Sequence, residues 1–499
     1  MHQNELIIVG LGSSGAENLT RQAWEHLSRV SEVWLRTALH PAVAGLPESL
    51  QVHSFDALYE QHTNLQDVLA SIVTQVLTLA QRPQGVTYAV PGSPYVAEST
   101  VSELLRRAPQ IGLSVRVIDG LSFIEPVSAA LGLDPSQALV TLDALTLAGL
   151  HVPPFPPSLD ALISELGSRQ DLSELKLTLM ANYPDEYPVV LVHHAGLPEQ
   201  QLERLPLYAI DQSSHLGLLS TLYLPARENG RSFEDFQQII ARLRAPDGCP
   251  WDRSQTHLSL RPFLLEEAYE VLDALDKQDA EHLKEELGDL LLQILLHAQI
   301  ASEDEDFNMS DVLFGISSKL VRRHPHVFGE LEVKSVDNVL QNWEKIKAEE
   351  RKDAGEGQKG MLEGIPLALP ALTQADQIQR RAERVGFDWQ SVEPVVDKVR
   401  EELGELLEAQ GPAEQQAEGG DLLFAVVNLL RWLKIDPETA LRETNARFRR
   451  RFAYIEAGAR AQGKAVEALS FAEMDALWEA AKRALPAHDQ GEESAAQSA

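Results

Sequence analysis

The chain is nearly without cysteine: among its 499 residues only Cys249 carries a thiol. An intrachain disulfide and a cysteine-built zinc site are therefore excluded. Long apolar runs are missing too. The longest, Leu287–Leu296 and Leu422–Leu430, are broken by Asp289, Gln293 and Asn428. Each is about half of the ~20 residues that cross a bilayer. No basic segment precedes an apolar one at the N-terminus, so no secretory signal is read and a cytoplasmic location without a membrane partner is expected. Positive charge is scarce: 43 Lys and Arg face 75 Asp and Glu, a net charge of -32. Such a surface repels phosphate backbones and argues against stable nucleic-acid binding. An anionic substrate would need local positive charge, and a bound divalent cation supplies it.

What is present falls into two halves. Residues 5–225 alternate short β-type runs with helical stretches. Leu6–Val9, Val86–Val90, Ser114–Ile118 and Val189–His193 read as strands; Asn18–Val30, Leu65–Leu79 and Glu98–Arg107 read as helices. This alternation predicts an α/β domain over 1–228 with a largely parallel sheet. The proline-rich stretch His151–Ser158 reads as a hinge between two lobes. From Phe233 onward, apolar residues recur at three- and four-residue spacing, which predicts an all-α half. The polar tail 487–499 reads as disordered.

The helical half repeats itself. LLEEAYEVLDAL and EELGDLLLQILLHA return as VREELGELLEAQ and AEGGDLLFAVVNLL. Glu402 follows Glu267 by 135 positions, Asp421 follows Asp289 by 132, Arg447 follows Lys319 by 128, and Trp478 follows Trp343 by 135. Nearly constant offsets predict two domains of one kind, at 232–352 and 393–486, joined by a linker over 353–392.

Each copy holds two pairs of acids three residues apart: Glu267/Glu270 with Glu286/Asp289, and Glu402/Glu405 with Glu418/Asp421. That spacing puts each pair on one helix face. A short connection makes the helices antiparallel and gathers four carboxylates. Asp289 and Asp421 lie in helices apolar nearly all round, so both are expected to be buried, where an unpaired carboxylate is costly. Converging carboxylates require a cation, and oxygen donors select Mg²⁺ or Mn²⁺. A di-iron bundle would need Glu-x-x-His on two helices, and the chain contains none. Downstream stand basic clusters: Lys319, Arg322 and Arg323, then Arg447, Arg449, Arg450 and Arg451. Arg447 and Arg450 are the better phosphate-binding pair by spacing, with a solvated basic face as the alternative. Trp478 and Lys482 suit stacking and phosphate contact, or core packing for Trp478.

On these residues, and on LRAPDGCPWDRSQTH, RRHPHVFG and NWEKIKAEE, the stretch from Phe233 to Leu485 resembles the MazG family of nucleoside triphosphate pyrophosphohydrolases. The family's motif stands as Glu266-Glu267-x-x-Glu270 with Glu286-x-x-Asp289, and as Glu401-Glu402-x-x-Glu405 with Glu418-x-x-Asp421. The resemblance implies an all-α fold, a homodimer, and Mg²⁺-dependent cleavage of a nucleoside triphosphate to its monophosphate and pyrophosphate, in the removal of non-standard or excess nucleotides. It also implies that the second copy is the more active. Asn445 fits the family's position before the basic run, where the first copy has Ser317. The mechanism expected is in-line attack by metal-activated water, with Glu401 or Glu266 orienting the water.

In the first half, IIVGLGSSG places Gly10, Gly12 and Gly15 after a strand, a nucleotide-site signal or simply a tight turn. With VTYAVPGSPYVAEST and GLSFIEPVSAALGLDP, this half resembles the tetrapyrrole methylases, a two-lobed α/β fold. The resemblance implies an S-adenosylmethionine site at Gly10, Gly12, Gly15, Pro91, Gly92 and Ser93. An Asp is missing from the Pro91–Pro94 loop, so two readings stand: a working methyltransferase of unknown substrate, or a cofactor-binding module that regulates the hydrolase.

Overall fold

The computed structural model describes residues 5–485 except 63–64, 167–168, 218, 229–230, 334, 354–359 and 361. The tail expected over 487–499 lies outside the described residues. The chain divides into two compact units after Gln255. Helix Phe233–Arg244, expected with the helical half, falls in the first unit.

The first unit contains two five-stranded sheets. Strands β1 (Glu5–Gly10), β2 (Glu32–Leu35), β3 (Gln51–Ser54), β4 (Val86–Val90) and β5 (Ser114–Ile118) form the first, in the order β3-β2-β4-β1-β5. All its pairings are parallel. Every residue of β4, VTYAV, is buried. A central parallel strand covered on both faces needs such an unbroken run. Helix Leu65–Ala80 sends Val68, Ile72 and Val76 into the core with Leu6, Ile8 and Tyr88. Helix Arg21–Leu27 packs Ala23 and Leu27 with Val9, Val33 and Ala89 in a second core.

The second sheet holds β6 (Leu139–Asp143), β7 (Asp160–Ser164), β8 (Pro188–His193), β9 (Gln201–Pro206) and β10 (Ser220–Leu224), in the order β6-β7-β10-β8-β9. Only β6–β7 is parallel. The largely parallel expectation therefore holds for one sheet and not the other. The connection 194–200 is too short for a crossover, so β8 and β9 must pair as a hairpin. The proline-rich stretch is not the hinge: it joins β6 and its following helix to β7 within one sheet. The chain changes sheets between Ile118 and Leu139.

Among the described residues the second unit is helical, with α1 (His257–Lys277), α2 (Ala280–Glu303), α3 (Met309–Arg323), α4 (Val336–Asp353), α5 (Ala371–Glu383), α6 (Val392–Glu408), α7 (Pro412–Trp432), α8 (Pro437–Ala461) and α9 (Phe471–Ala484). Start signals are local. Thr256 and Ser259 form a capping box for α1, Asn308 and Asp311 for α3, and Ser470 and Glu473 for α9. The turn between α1 and α2 uses Gln278 in the left-handed region and Asp279 as the cap that accepts from His282 N. The α6–α7 turn uses Gly411 at φ +96°, then Pro412 at the first helical position. Two helical hairpins result, α1–α2 and α6–α7.

Two expectations need correction. Helix α5 lies inside the expected linker 353–392. It packs against α7 and α8, and Gln379 Nε2 donates to the Phe424 carbonyl at 2.8 Å. Its apolar residues are sparse, so periodicity did not reveal it. Helix α2, expected to be buried all round, leaves Leu287 50% exposed and Ile294 40% exposed.

Candidate metal centres and the cleft of the first unit

The hairpins bring acids together in threes. Carboxylate oxygens of Glu267, Glu270 and Glu286 lie within 4.8 Å of one another, and so do those of Glu402, Glu405 and Glu418. Asp289 and Asp421 stand outside these groups. Asp289 is half-buried and Asp421 exposed, so the expected burial of both is overturned. The buried acids are Glu286 and Glu402. The reason is packing: the α2 and α7 faces that carry the aspartates are uncovered in a single chain.

Crowding shifts the protons. Burial, then the charges of Asp289 and Glu270, push the Glu267 carboxyl above its usual range. Glu286 rises through burial and Glu270, opposed by His282, whose Nδ1 is 3.2 Å away. Glu405 rises through burial and Glu402. In each case desolvation and neighbouring like charges disfavour the ionised form.

In the second hairpin a lysine sits on the acids. Lys398 Nζ is 2.6 Å from Glu402 and 2.8 Å from Glu401, and both carboxylates hold its ammonium above the ordinary lysine range. The reading of the sequence missed Lys398. It stands four residues before Glu402, where the first copy has Phe263, and an i,i+4 Lys–Glu pair was the available signal. Glu266 and Glu401 are exposed.

The other expected residues distribute unevenly. Asn445 and Arg450 are exposed on α8. Arg447 donates to Thr444 Oγ1 at 2.7 Å. Arg451, not Arg450, lies over the Trp478 ring, 5.7 Å from its centroid. Trp478 also packs beside Phe448 and against Ile455, Ala459 and Leu469. Lys482 pairs with Glu479 at 2.6 Å. In the first copy Lys319 is exposed, and Arg322 and Arg323 both engage Glu350.

In the first unit the glycine loops meet. Gly12 N donates to Gly92 O at 3.1 Å, and Gly92 N donates back to Gly12 O at 2.6 Å. Their φ values, +75° and +67°, are ones that side chains resist. A Cβ on Gly10 would lie 2.5 Å from Gly120 N, whereas one on Gly92 would meet nothing within 4 Å. Pro91, Gly92 and Ser13 line a cavity of about 990 Å³. Gly15 opens the turn Ala16–Asn18, and the Ser93 hydroxyl accepts from Tyr95 N.

Four lining residues were not found from the sequence: Arg36, His40, Glu98 and Glu165. Arg36 is 6% exposed, and its Nη1 lies 2.7 Å from Glu98 and 2.8 Å from Glu165. Glu98 also accepts from Thr100 at 2.6 Å. Glu165 has a φ of +54°. Burial of His40, opposed by the Gly12 carbonyl, takes it down to about 4. These residues are far apart in sequence and only the fold unites them.

The chain thus joins a two-sheet α/β unit with a glycine-lined cleft to helical hairpins that gather carboxylates in threes. Family comparison agrees. Residues 5–211 match the model for tetrapyrrole (corrin/porphyrin) methylases, and 255–328 match that for the MazG nucleotide pyrophosphohydrolase domain. The uncharacterized protein YabN of Bacillus subtilis is 40% identical over 96% of this chain and 98% of its own. The nucleoside triphosphate pyrophosphohydrolase/pyrophosphatase MazG of Thermotoga maritima is 45% identical over 51% of this chain and 98% of its own. The nucleoside triphosphate pyrophosphohydrolase of Escherichia coli is 46% identical over 49% and 95%. The chain belongs to the MazG family, in the form that carries a tetrapyrrole methylase domain ahead of the MazG domain.

Proposed function

We propose that the second unit hydrolyses nucleoside triphosphates to the monophosphate and pyrophosphate, with the α6–α7 hairpin, as a second MazG copy, the main site. The observation that carries this is the carboxylate triad, present in both hairpins with acids pushed toward protonation. All-oxygen donors suit Mg²⁺ or Mn²⁺, and the ammonium of Lys398 marks where positive charge is wanted. Glu402, Glu405 and Glu418 would hold the ion, with Asp421 one turn beyond Glu418 joining them. A bound divalent ion would supply charge neutralisation at phosphate and a more acidic water. The chain's residues do the rest. Lys398, Arg447 and Arg451 offer donors to the polyphosphate, Trp478 offers a stacking face, and exposed Glu401 orients the attacking water.

The pyrophosphohydrolase relatives support the substrate class. Apolar side chains left open on the helices, including Phe314 at 75% and Leu407 at 78% exposure, favour a homodimer that covers them. The cleft of the first unit is proposed to bind S-adenosylmethionine: Gly92 leaves open space on its wall, and its acids suit a cation. The cofactor would supply an electrophilic methyl group, while Gly12, Pro91 and Gly92 shape its seat. Calorimetry with S-adenosylmethionine, followed by a methyl-transfer assay, separates catalysis from regulation by binding.

Phosphorus NMR of dATP hydrolysis tests the main reading. Pyrophosphate and dAMP, formed only with Mg²⁺ or Mn²⁺, are expected. Orthophosphate and dADP, or turnover independent of metal, would overturn it.

A further inference from the structure

The two copies differ at the arginines that follow their hairpins, on α3 and α8. Both copies place an arginine over a tryptophan: Arg323 over Trp343 at 5.4 Å and Arg451 over Trp478 at 5.7 Å. In the first copy a carboxylate intervenes. Glu350 on α4 accepts from Arg322 Nε at 2.7 Å, from Arg323 Nε at 3.1 Å and from Arg323 Nη2 at 2.6 Å. Arg323 and Arg322 together hold its carboxyl down to about 2. Glu350 stands seven residues after Trp343, two turns along the same helix face.

Seven residues after Trp478 stands Leu485, which carries no charge. Among the described residues neither Arg450 nor Arg451 makes a hydrogen bond or ion pair with a carboxylate; Glu479, paired with Lys482, feels the charge of Arg451 only at longer range. The planar fork of an arginine that recognises phosphate recognises a carboxylate equally well, so the two compete for the same N–H groups. The first copy also has Phe263 where the second has Lys398. In the first copy Glu350 thus occupies Arg322 and Arg323; in the second no such anion bridges Arg450 and Arg451 among the described residues, and the basic group on the acids is Lys398.

We propose that Glu350 is a resident anion on the polyphosphate-binding arginines of the first copy, so that the second copy takes the nucleoside triphosphate and the first is held back. This rests on the pyrophosphohydrolase reading above. Glu350 is a specificity-determining residue acting through Arg322 and Arg323.

The test counts binding sites on the full chain by equilibrium dialysis with α,β-methylene-dATP and Mg²⁺. Wild type should show one tight site per chain, and Glu350→Gln a second site tightened by about tenfold or more. In a Glu402→Gln background, Glu350→Gln should raise the residual pyrophosphate release and lower its KM. Leu485→Glu places the anion in the second copy and should weaken the tight site of the wild type, independently of how well Glu350→Gln folds. Unchanged or lower first-site affinity in Glu350→Gln, with Leu485→Glu binding as wild type does, overturns the proposal. Two equal sites in the wild type overturn it as well. No nucleotide binding by the wild type would instead mark failure of the parent reading, and the proposal falls with it.

Discussion

Lys398 Nζ lies 2.6 Å from a Glu402 carboxylate oxygen, inside the acid group of the second hairpin. Its counterpart in the first hairpin is Phe263. An ammonium there neutralises acids that would otherwise repel one another, and it must move aside when a metal ion binds. Lys398→Met is expected to tighten Mn²⁺ binding by roughly twofold to fivefold, the scale of one partly exposed ion pair. It should also lower turnover, because a phosphate donor is lost. Paramagnetic titration of Mn²⁺ reads the first effect and pyrophosphate release the second.

The buried Arg36 between Glu98 and Glu165 is a stability element of the first unit as well as a wall of its cleft. Arg36→Ala leaves two acids without their cation in a dry site. A loss of about 3–5 kcal/mol is expected for breaking such a network. Hydrogen exchange of β1 and β4 amides in the full chain measures it. Glu98→Gln should cost less, since Arg36 keeps Glu165.

His40 gives the first unit a pH dependence. Its folded-state value, about 4, is below the 6.5 of a free histidine because burial disfavours the charged form. The unfolded chain therefore binds more protons between those values. Stability is full above about 6.5 and falls as pH drops toward 4, by about 3 kcal/mol for a shift of this size. His40→Gln should flatten that slope in hydrogen exchange recorded across the same range.

The exposed apolar faces of the second unit predict self-association. Sedimentation equilibrium should give twice the 55.2 kDa chain mass. Phe314→Glu or Leu407→Glu, at positions open in the single chain, should return it toward one chain mass.

Periodicity made much of this architecture legible. β5 alternates, β1, β4 and β8 are short unbroken apolar runs, and the helices α1, α2, α6 and α7 carry the 3.6-residue period, while the repeat exposed both carboxylate sets. Burial was less legible. Asp289 and Asp421 sit in apolar helices, yet an apolar helix is buried only where a partner covers it. Arg36, Glu98 and Glu165 left no local pattern, because residues on separate elements meet only after folding. Helix α5 has too few apolar positions to announce itself. Lys398 was visible as an i,i+4 partner of Glu402, but an acidic motif draws attention to its acids.

The central claim is that hydrolysis runs on the acid group of the second hairpin. Pyrophosphate release from full-length Glu402→Gln and Glu267→Gln, measured side by side with Mg²⁺ in excess, tests it most directly. Glu402→Gln should lose on the order of 100-fold or more, at least the scale seen when a metal site loses a supporting group, while Glu267→Gln keeps most of the rate. Equal turnover in both variants and the wild type would contradict the account.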